Sequence, residues 1–342
     1  MCRVAKRAPH NCGVAAEHLE SGPARADVTR RRLVRAALGG LALHGLDGCA
    51  WRVQSAQPWE TRLRGATITL LGEVHDNAEH HRQRTAVLNR ALEAGWRPAV
   101  VMEQFDSDRQ ADIERSRRER PRDPAHLIAG AGAARGWTWA HYEAPIALVL
   151  QFDLPLWAGN LPRALAARLR REGYAAVLGA QRTRELGLDE APDAAWQAAQ
   201  ERQIDLGHCG ALPRSALAGM ARAQFARDAL MAQLLRENAS RGAVLLAGTG
   251  HVRRDIGVPR WLARTGSSAT VSDSLEGRSP RSAVAPTHPD ASRVLAVGFI
   301  ETGGEAPGAD EFDAVVSAAP AARDDPCEAF KARHPRQARQ AL

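Results

Sequence analysis

Long apolar runs are missing from this 342-residue chain. No stretch reaches the roughly eighteen apolar residues that a membrane-spanning helix requires, so any attachment to a membrane is expected to be by lipid. Cysteine is scarce, at five, and none is spaced Cys-x-x-Cys. His208-Cys209 is therefore a poor metal pair, because adjacent side chains on a helix or strand point apart. There is no Gly-x-Ser-x-Gly elbow, which argues against a serine hydrolase. Tyrosine occurs twice, as Tyr142 and Tyr174, and lysine twice, as Lys6 and Lys331.

The formal charge of +7 is unevenly spread. The first 35 residues carry eight basic and three acidic residues, so the remainder is nearly balanced. A balanced body argues against nucleic acid as the partner, since that would need a basic face. The basic front end, Arg30-Arg31-Arg32 and Arg35, precedes a mildly apolar stretch at 36–46 and then Leu46-Asp47-Gly48-Cys49. A charged segment, an apolar segment of about ten residues and a small residue before a cut describe an export signal. Its last four residues look like a lipoprotein box, with Cys49 as the lipidated residue, although Asp47 and His44 depart from that pattern. The alternative is an unstructured cytoplasmic N-terminus. After loss of the leader, Cys209 and Cys327 remain, either as a disulfide of an oxidising compartment or as two free thiols.

What is present points to one large α/β domain with appendages. The runs LLGEVH (70–75) and LAGTGH (246–251) each break at a glycine and deliver a histidine as Gly-x-x-His. Both read as buried parallel strands, over 66–71 and 243–247. Two further runs end similarly: PAVVM (98–102) before Glu103, and LWAG (156–159) before Asn160. Ligands of open α/β sheets sit outside the carboxyl ends of the strands. Glu73, His75, Glu103, Asn160 and His251 are thus expected on one rim, a set suited to a divalent metal or to acid/base work. Each residue alone is more often a loop residue or helix cap; it is the coincidence of four strand ends that points to a site.

Asn77 is expected to cap a helix ending before Gly95, and Ser107 a charged helix to about Glu119. A short helix at 121–134 leads to the aromatic loop WTWAHYEAP (137–145). Helices follow at 145–152, 164–172 and 215–237, the last being the longest, and Tyr174 reads as the start of a strand. Late strands at 294–300 and 312–316 complete the sheet. The assigned organisation is a basic leader at 1–49, a core at 62–264, a flexible insertion rich in Ser, Pro, Gly and Ala at 265–292, C-terminal strands at 293–330 and a tail at 331–342.

Taken in order, GEVH (72–75), Met102-Glu103, Trp139, Tyr142 and Pro145, NLPR (160–163), HCG.LP (208–213), Q..RDALMA (224–232), GTGHVRRDIGVP (248–259), V.AVGFIE (294–301) and DPCEAF (325–330) resemble the ChaN-type haem-binding uptake family. That family lies within the wider Tiki and erythromycin-esterase superfamily. The resemblance covers about 66–264, resumes at 294–330, and is interrupted by the insertion at 265–292. It implies a mostly parallel sheet with flanking helices and a small helical subdomain. It also implies a lipoprotein outside the cytoplasmic membrane, haem binding linked to iron uptake, and an outer-membrane haem or iron receptor as partner. The superfamily implies instead a hydrolytic site on the Gly-x-x-His histidines and a glutamate, metal-dependent in the Tiki proteins.

Haem needs an axial ligand, an apolar slot and cations for its propionates. Tyr142, beside Trp137, Trp139 and His141, is the expected ligand on an exposed aromatic surface, with His141, Arg163 or Arg227 available to a propionate. The same aromatic loop motivates a homodimer with haem at a shared face. Alternatively, Tyr142 simply packs helices onto the sheet. The hydrolytic reading puts a divalent metal on Glu73, His75, Glu103 and His251, with Arg227 and Asp228 in support. The plainer view of those last two is a solvated surface pair of little energetic worth.

Overall fold

Six short runs rich in Val, Ile, Leu and Ala form the strands, because such residues bury well on both faces of a parallel sheet. The computed structural model describes residues 58–132, 136–264, 293–325 and 327–328. The leader with Cys49, the insertion at 265–292 and the tail at 331–342 lie outside the described residues.

The strands are β1 (Ile68–Glu73), β2 (Ala99–Asp106), β3 (Leu156–Asn160), β4 (Ala243–Gly248), β5 (Val294–Glu301) and β6 (Ala314–Ala318). They pair in the order β3-β2-β4-β1-β5-β6, parallel throughout. Helices α1 (Pro58–Leu63), α2 (Ala78–Glu93), α3 (Gln110–Glu119), α4 (Pro124–Ala131) and α5 (Glu143–Gln151) precede β3. Four helices lie between β3 and β4: α6 (Arg163–Glu172), α7 (Tyr174–Glu185), α8 (Ala194–Gly207) and α9 (Arg214–Glu237). The short α10 (Thr249–Val252) and α11 (Val258–Ala263) follow β4.

Alternation along β1 divides the core. Ile68 and Leu70 join Phe225, Met231 and Trp261 on one face, whereas Leu71 joins Leu88, Phe105, Ile146 and Phe299 on the other. The sheet is therefore covered on both sides, as a parallel sheet requires.

Three local expectations change. Ser107 does not cap α3: β2 continues to Asp106 and the chain enters the helix through a 3₁₀ turn at Ser107–Arg109. Tyr174 starts a helix rather than a strand. Gly173, at φ +84, stops α6 and turns the chain, and the Tyr174 hydroxyl donates to the Arg222 carbonyl at 3.0 Å. The last strand begins at Ala314, two residues later than the apolar run suggests. Asn77 does cap α2, accepting from the Glu79 and His80 amides.

The glycines of the two Gly-x-x-His motifs clear space for each other's segments. A Cβ on Gly72 would lie 2.9 Å from the Thr249 Cα and 3.0 Å from the Val252 side chain. Gly72→Ala is accordingly expected to cost about 1–3 kcal/mol, as overpacking against backbone does. A denaturant midpoint unchanged from the parent would contradict this.

Candidate functional site

In register, Glu73 on β1 stands opposite Gly248 on β4, so both motifs finish at the same height. The loop after β1 then carries His75, and α10 carries His251. The loop is fixed by two successive helix histidines that sequence reasoning passed over. His80 accepts from the Val74 amide on Nδ1 at 3.2 Å, and its Nε2 donates to the Ile300 carbonyl at 3.0 Å. His81 donates through Nε2 to the His75 carbonyl at 2.9 Å and faces Arg84 with Nδ1. Each ring therefore has one donor and one acceptor nitrogen in use, the pattern of a neutral imidazole. Burial pushes His81 down to about 4, against its bond to His75.

Glu73 is fully buried and collects three partners. The Tyr142 hydroxyl donates to its Oε1 at 2.8 Å, His75 Nδ1 lies 3.2 Å from the same oxygen, and Arg84 pairs with Oε2. The carboxylate makes Nδ1 of His75 the donor, which leaves Nε2 as the ring's acceptor. Only a glycine fits beside it: a Cβ on Gly248 would come within 2.8 Å of His75 Nε2. The His75 side chain is 46% exposed, and its ring meets Trp137 edge-on with centroids 4.8 Å apart.

A second buried group stands behind it. Glu103 accepts from the Gly248 amide at 2.7 Å and approaches His251 Nε2 at 3.4 Å, while Asp228 on α9 takes the other ring nitrogen, Nδ1. Burial alone would lower the His251 pKa, but the two carboxylates outweigh it and raise it to about 10. Burial likewise opposes the Glu103 charge, yet His251 holds that carboxyl well below the usual range. Asp228 is fully buried and is not a solvated surface charge. Its neighbour Arg227 donates to Asn160 at 3.0 Å and to Gln224 at 3.2 Å.

Glu73, His75, Glu103, Asn160, Arg227 and His251 all line one cleft of about 880 Å³ at the strand ends. Trp137 forms part of its wall, and Gln200, Gln203, Ile204, Gly207 and His208 at the end of α8 face it across the opening, with Arg323 from the C-terminal segment. This volume lies in the range of small-molecule and cofactor sites. Tyr142 is fully buried instead of lying on an exposed aromatic face, and it touches the cleft from behind, through Glu73 and the Trp137 ring. His141 is half-buried and stacks on His81 at 4.7 Å. Arg163 is exposed at the start of α6 and does not line the cleft.

The donor set fits a metal ion poorly. Both His251 nitrogens face carboxylates, and both Glu73 oxygens are taken by tyrosine, histidine and arginine. Among the described residues no three His, Cys, Asp or Glu side chains are arranged to hold a metal. The expected divalent metal on Glu73, His75, Glu103 and His251 is thus not supported, because these residues neutralise one another. Haem asks less: one accessible ligand, a flat apolar wall and cations. His75, Trp137 and the two arginines, Arg227 and Arg323, meet that requirement.

The family profile described as "Haem-binding uptake, Tiki superfamily, ChaN" matches residues 59–262. Among solved structures, one titled as cofacial heme binding to ChaN of Campylobacter jejuni superposes with a TM-score of 0.54 at 18% identity, covering 74% of this chain and 88% of that one. An erythromycin esterase in an open conformation gives a TM-score of 0.36 at 15% identity over 74% of this chain and 76% of that one, too distant to support an argument. No curated protein sequence matches.

Proposed function

The chain belongs to the haem-binding uptake, ChaN family of the Tiki superfamily, and on that premise we propose that it binds haem in the strand-end cleft, where His75 would hold the iron. The observation that carries this reading is the half-exposed His75 imidazole whose Nδ1 is held by Glu73, so that Nε2 remains an acceptor beside Gly248. A ligating histidine is commonly oriented by a carboxylate on its other nitrogen. Tyr142 and Arg84 act one step further out, by fixing Glu73. Trp137 offers an apolar wall, and Arg227 and Arg323 are the cations nearest to hand for propionates. Bound haem would supply the iron and the porphyrin that uptake delivers; this chain's residues hold it and shield one face from water.

The setting follows from the same reading. The protein is exported and held by lipid at Cys49, and it receives haem on the outer side of the cytoplasmic membrane from an outer-membrane receptor. The Cys209–Cys327 disulfide supports an oxidising compartment. Among the described residues no helix is long and apolar enough to cross a membrane. A homodimer sharing haem at the cleft face is part of this proposal; sedimentation that gives a monomer with and without haemin would reject it.

The test of haem binding is a titration of the purified chain with haemin, followed by visible absorption. Saturation at one haemin per chain is expected. Linear, unsaturable absorbance of free haemin would overturn the function.

A further inference from the structure

Beyond the end of β6 the chain does not leave the molecule. The Ala319 carbonyl accepts from Asn77 at 3.0 Å, and the Ala321 amide donates to Glu301 at 2.8 Å, an oxygen that Asn77 also reaches. Arg323 then pairs with both Asp76 and Glu301. Asp76 directly follows His75, so the segment passes beside the loop that carries the proposed ligand. Four residues on, Cys327 is joined to Cys209, which sits immediately after cleft-lining Gly207 and His208 at the end of α8. Residues 319–325 therefore run as a strap from beside the N-terminal end of α2, and the described Cys327 ties it to the C-terminal end of α8. These are the two banks of the cleft, and Arg323 lines it on the way.

The anchors of this strap differ in strength. Its near end is held by the side chains of Glu301 and of Asn77, which is buried, on the backbone of Ala321 and Ala319. In its middle, Arg323 pairs with carboxylates of which the Asp76 side chain is 54% exposed, and exposed ion pairs contribute little. The covalent link to Cys209 is what ties the far end to α8. Cys209 itself holds a left-handed backbone, φ +61, unusual for a residue other than glycine. Both cysteines are half-buried, so a small dithiol can reach the sulfurs.

We propose that the strap 319–325 is a thiol-openable gate of the cleft, closed by the Cys209–Cys327 disulfide. A dithiol opens it by exchange. Its thiolate attacks one sulfur, the Sγ–Sγ bond breaks, and the resulting mixed disulfide is resolved by the second thiol of the reductant. Two electrons and two protons pass to Cys209 and Cys327, which become thiols, and the dithiol becomes a disulfide. The strap then hinges at its near end, Arg323 leaves the cleft, and the mouth beside the half-exposed His75 widens. Closed, the gate slows ligand exchange; opened in contact with a reducing dithiol partner, it releases the ligand.

The gate is tested on the full chain in two ways at once, oxidised and after reduction confirmed by thiol mass. The first readout is the rate at which diethyl pyrocarbonate modifies His75 in ligand-free protein. The second, which rests on the haem reading, is the rate of haemin transfer from loaded protein to an excess of a haem-scavenging apoprotein. Both rates are expected to rise about tenfold on reduction, as for a locally opened segment, and Cys327→Ser is expected to show the fast rates with or without reductant. Faster His75 modification without any haemin binding would leave the gate standing and reject the haem reading. Haemin binding with both rates unchanged on reduction would keep haem and overturn the gate. Cooperative unfolding of the parent chain on reduction would also overturn it, since the bridge would then be a staple of the whole fold.

Discussion

Replacing His75 by alanine is expected to weaken haemin binding by at least about 100-fold, the scale on which metal affinity responds even to lost supporting partners. The substitution should leave the fold intact. His75 lies on a loop, its side chain is 46% exposed, and its carbonyl, which alanine retains, is the group that His81 holds. The comparison variant is Tyr142→Phe. It removes one donor from Glu73 but leaves Arg84 and His75 on that carboxylate, so a loss of about tenfold is expected. The two variants also discriminate between ligands. If Tyr142→Phe abolished the haemin spectrum and His75→Ala did not, the phenol would be the ligand, and the loop carrying Trp137 and Trp139 would have to open to expose it. Gly248→Ala provides a third reading of the same geometry. It adds a methyl where the His75 ring now sits and should reproduce much of the His75→Ala loss without removing any donor.

His251→Leu is expected to destabilise the protein by about 3–5 kcal/mol in denaturant unfolding, because it leaves Glu103 and Asp228 as buried carboxylates without their shared cation. Both carboxylates are at least nine-tenths buried. A loss under about 1 kcal/mol would mean that the cluster is hydrated and that the pairing carries little stability. The parent protein should show the same cluster through pH. The folded-state pKa of His251 is raised to about 10, from an ordinary value of about 6.5 in the unfolded chain. A group raised on folding stabilises fully below its unfolded pKa, and that contribution is lost as pH rises through the folded one. Stability should therefore fall between about pH 6.5 and 10, and the fall should be absent in His251→Leu. Asp228, whose carboxyl burial pushes up, offsets part of the gain at neutral pH.

Six strands were legible in the sequence: the inner ones because a parallel sheet buried on both faces demands continuous apolar runs, and the edge strand β6, which is half-exposed, from a shorter run. The helix at 194–207 was not legible. Its apolar positions are thinly spread, and it folds by laying Trp196 and Ile204 against α9 and α11. Tyr174 departs from the strand that its sequence suggests because one glycine with positive φ, Gly173, changes the direction of the chain. The strand-end rim was legible from topology: four runs ending in Glu, His or Asn can meet only at the carboxyl edge.

What the sequence determined by itself was the α/β sheet, the family resemblance, and the list of polar residues gathered at one edge. Periodicity and motif order are local properties, and they survive without coordinates. What only the tertiary structure decided was which of those residues are free to act. Glu73 and Arg84, eleven positions apart, neutralise each other in the interior, and Asp228 and Glu103 enclose His251 from two different elements. Tyr142 is turned inward onto Glu73, and Cys327 returns across 118 residues to bond Cys209 beside His208. Such pairings depend on distances between side chains far apart in the chain, in an interior where an unpaired charge is costly. The resulting division, with His75 left accessible and the other rim residues committed to one another, appears only once the packing is complete.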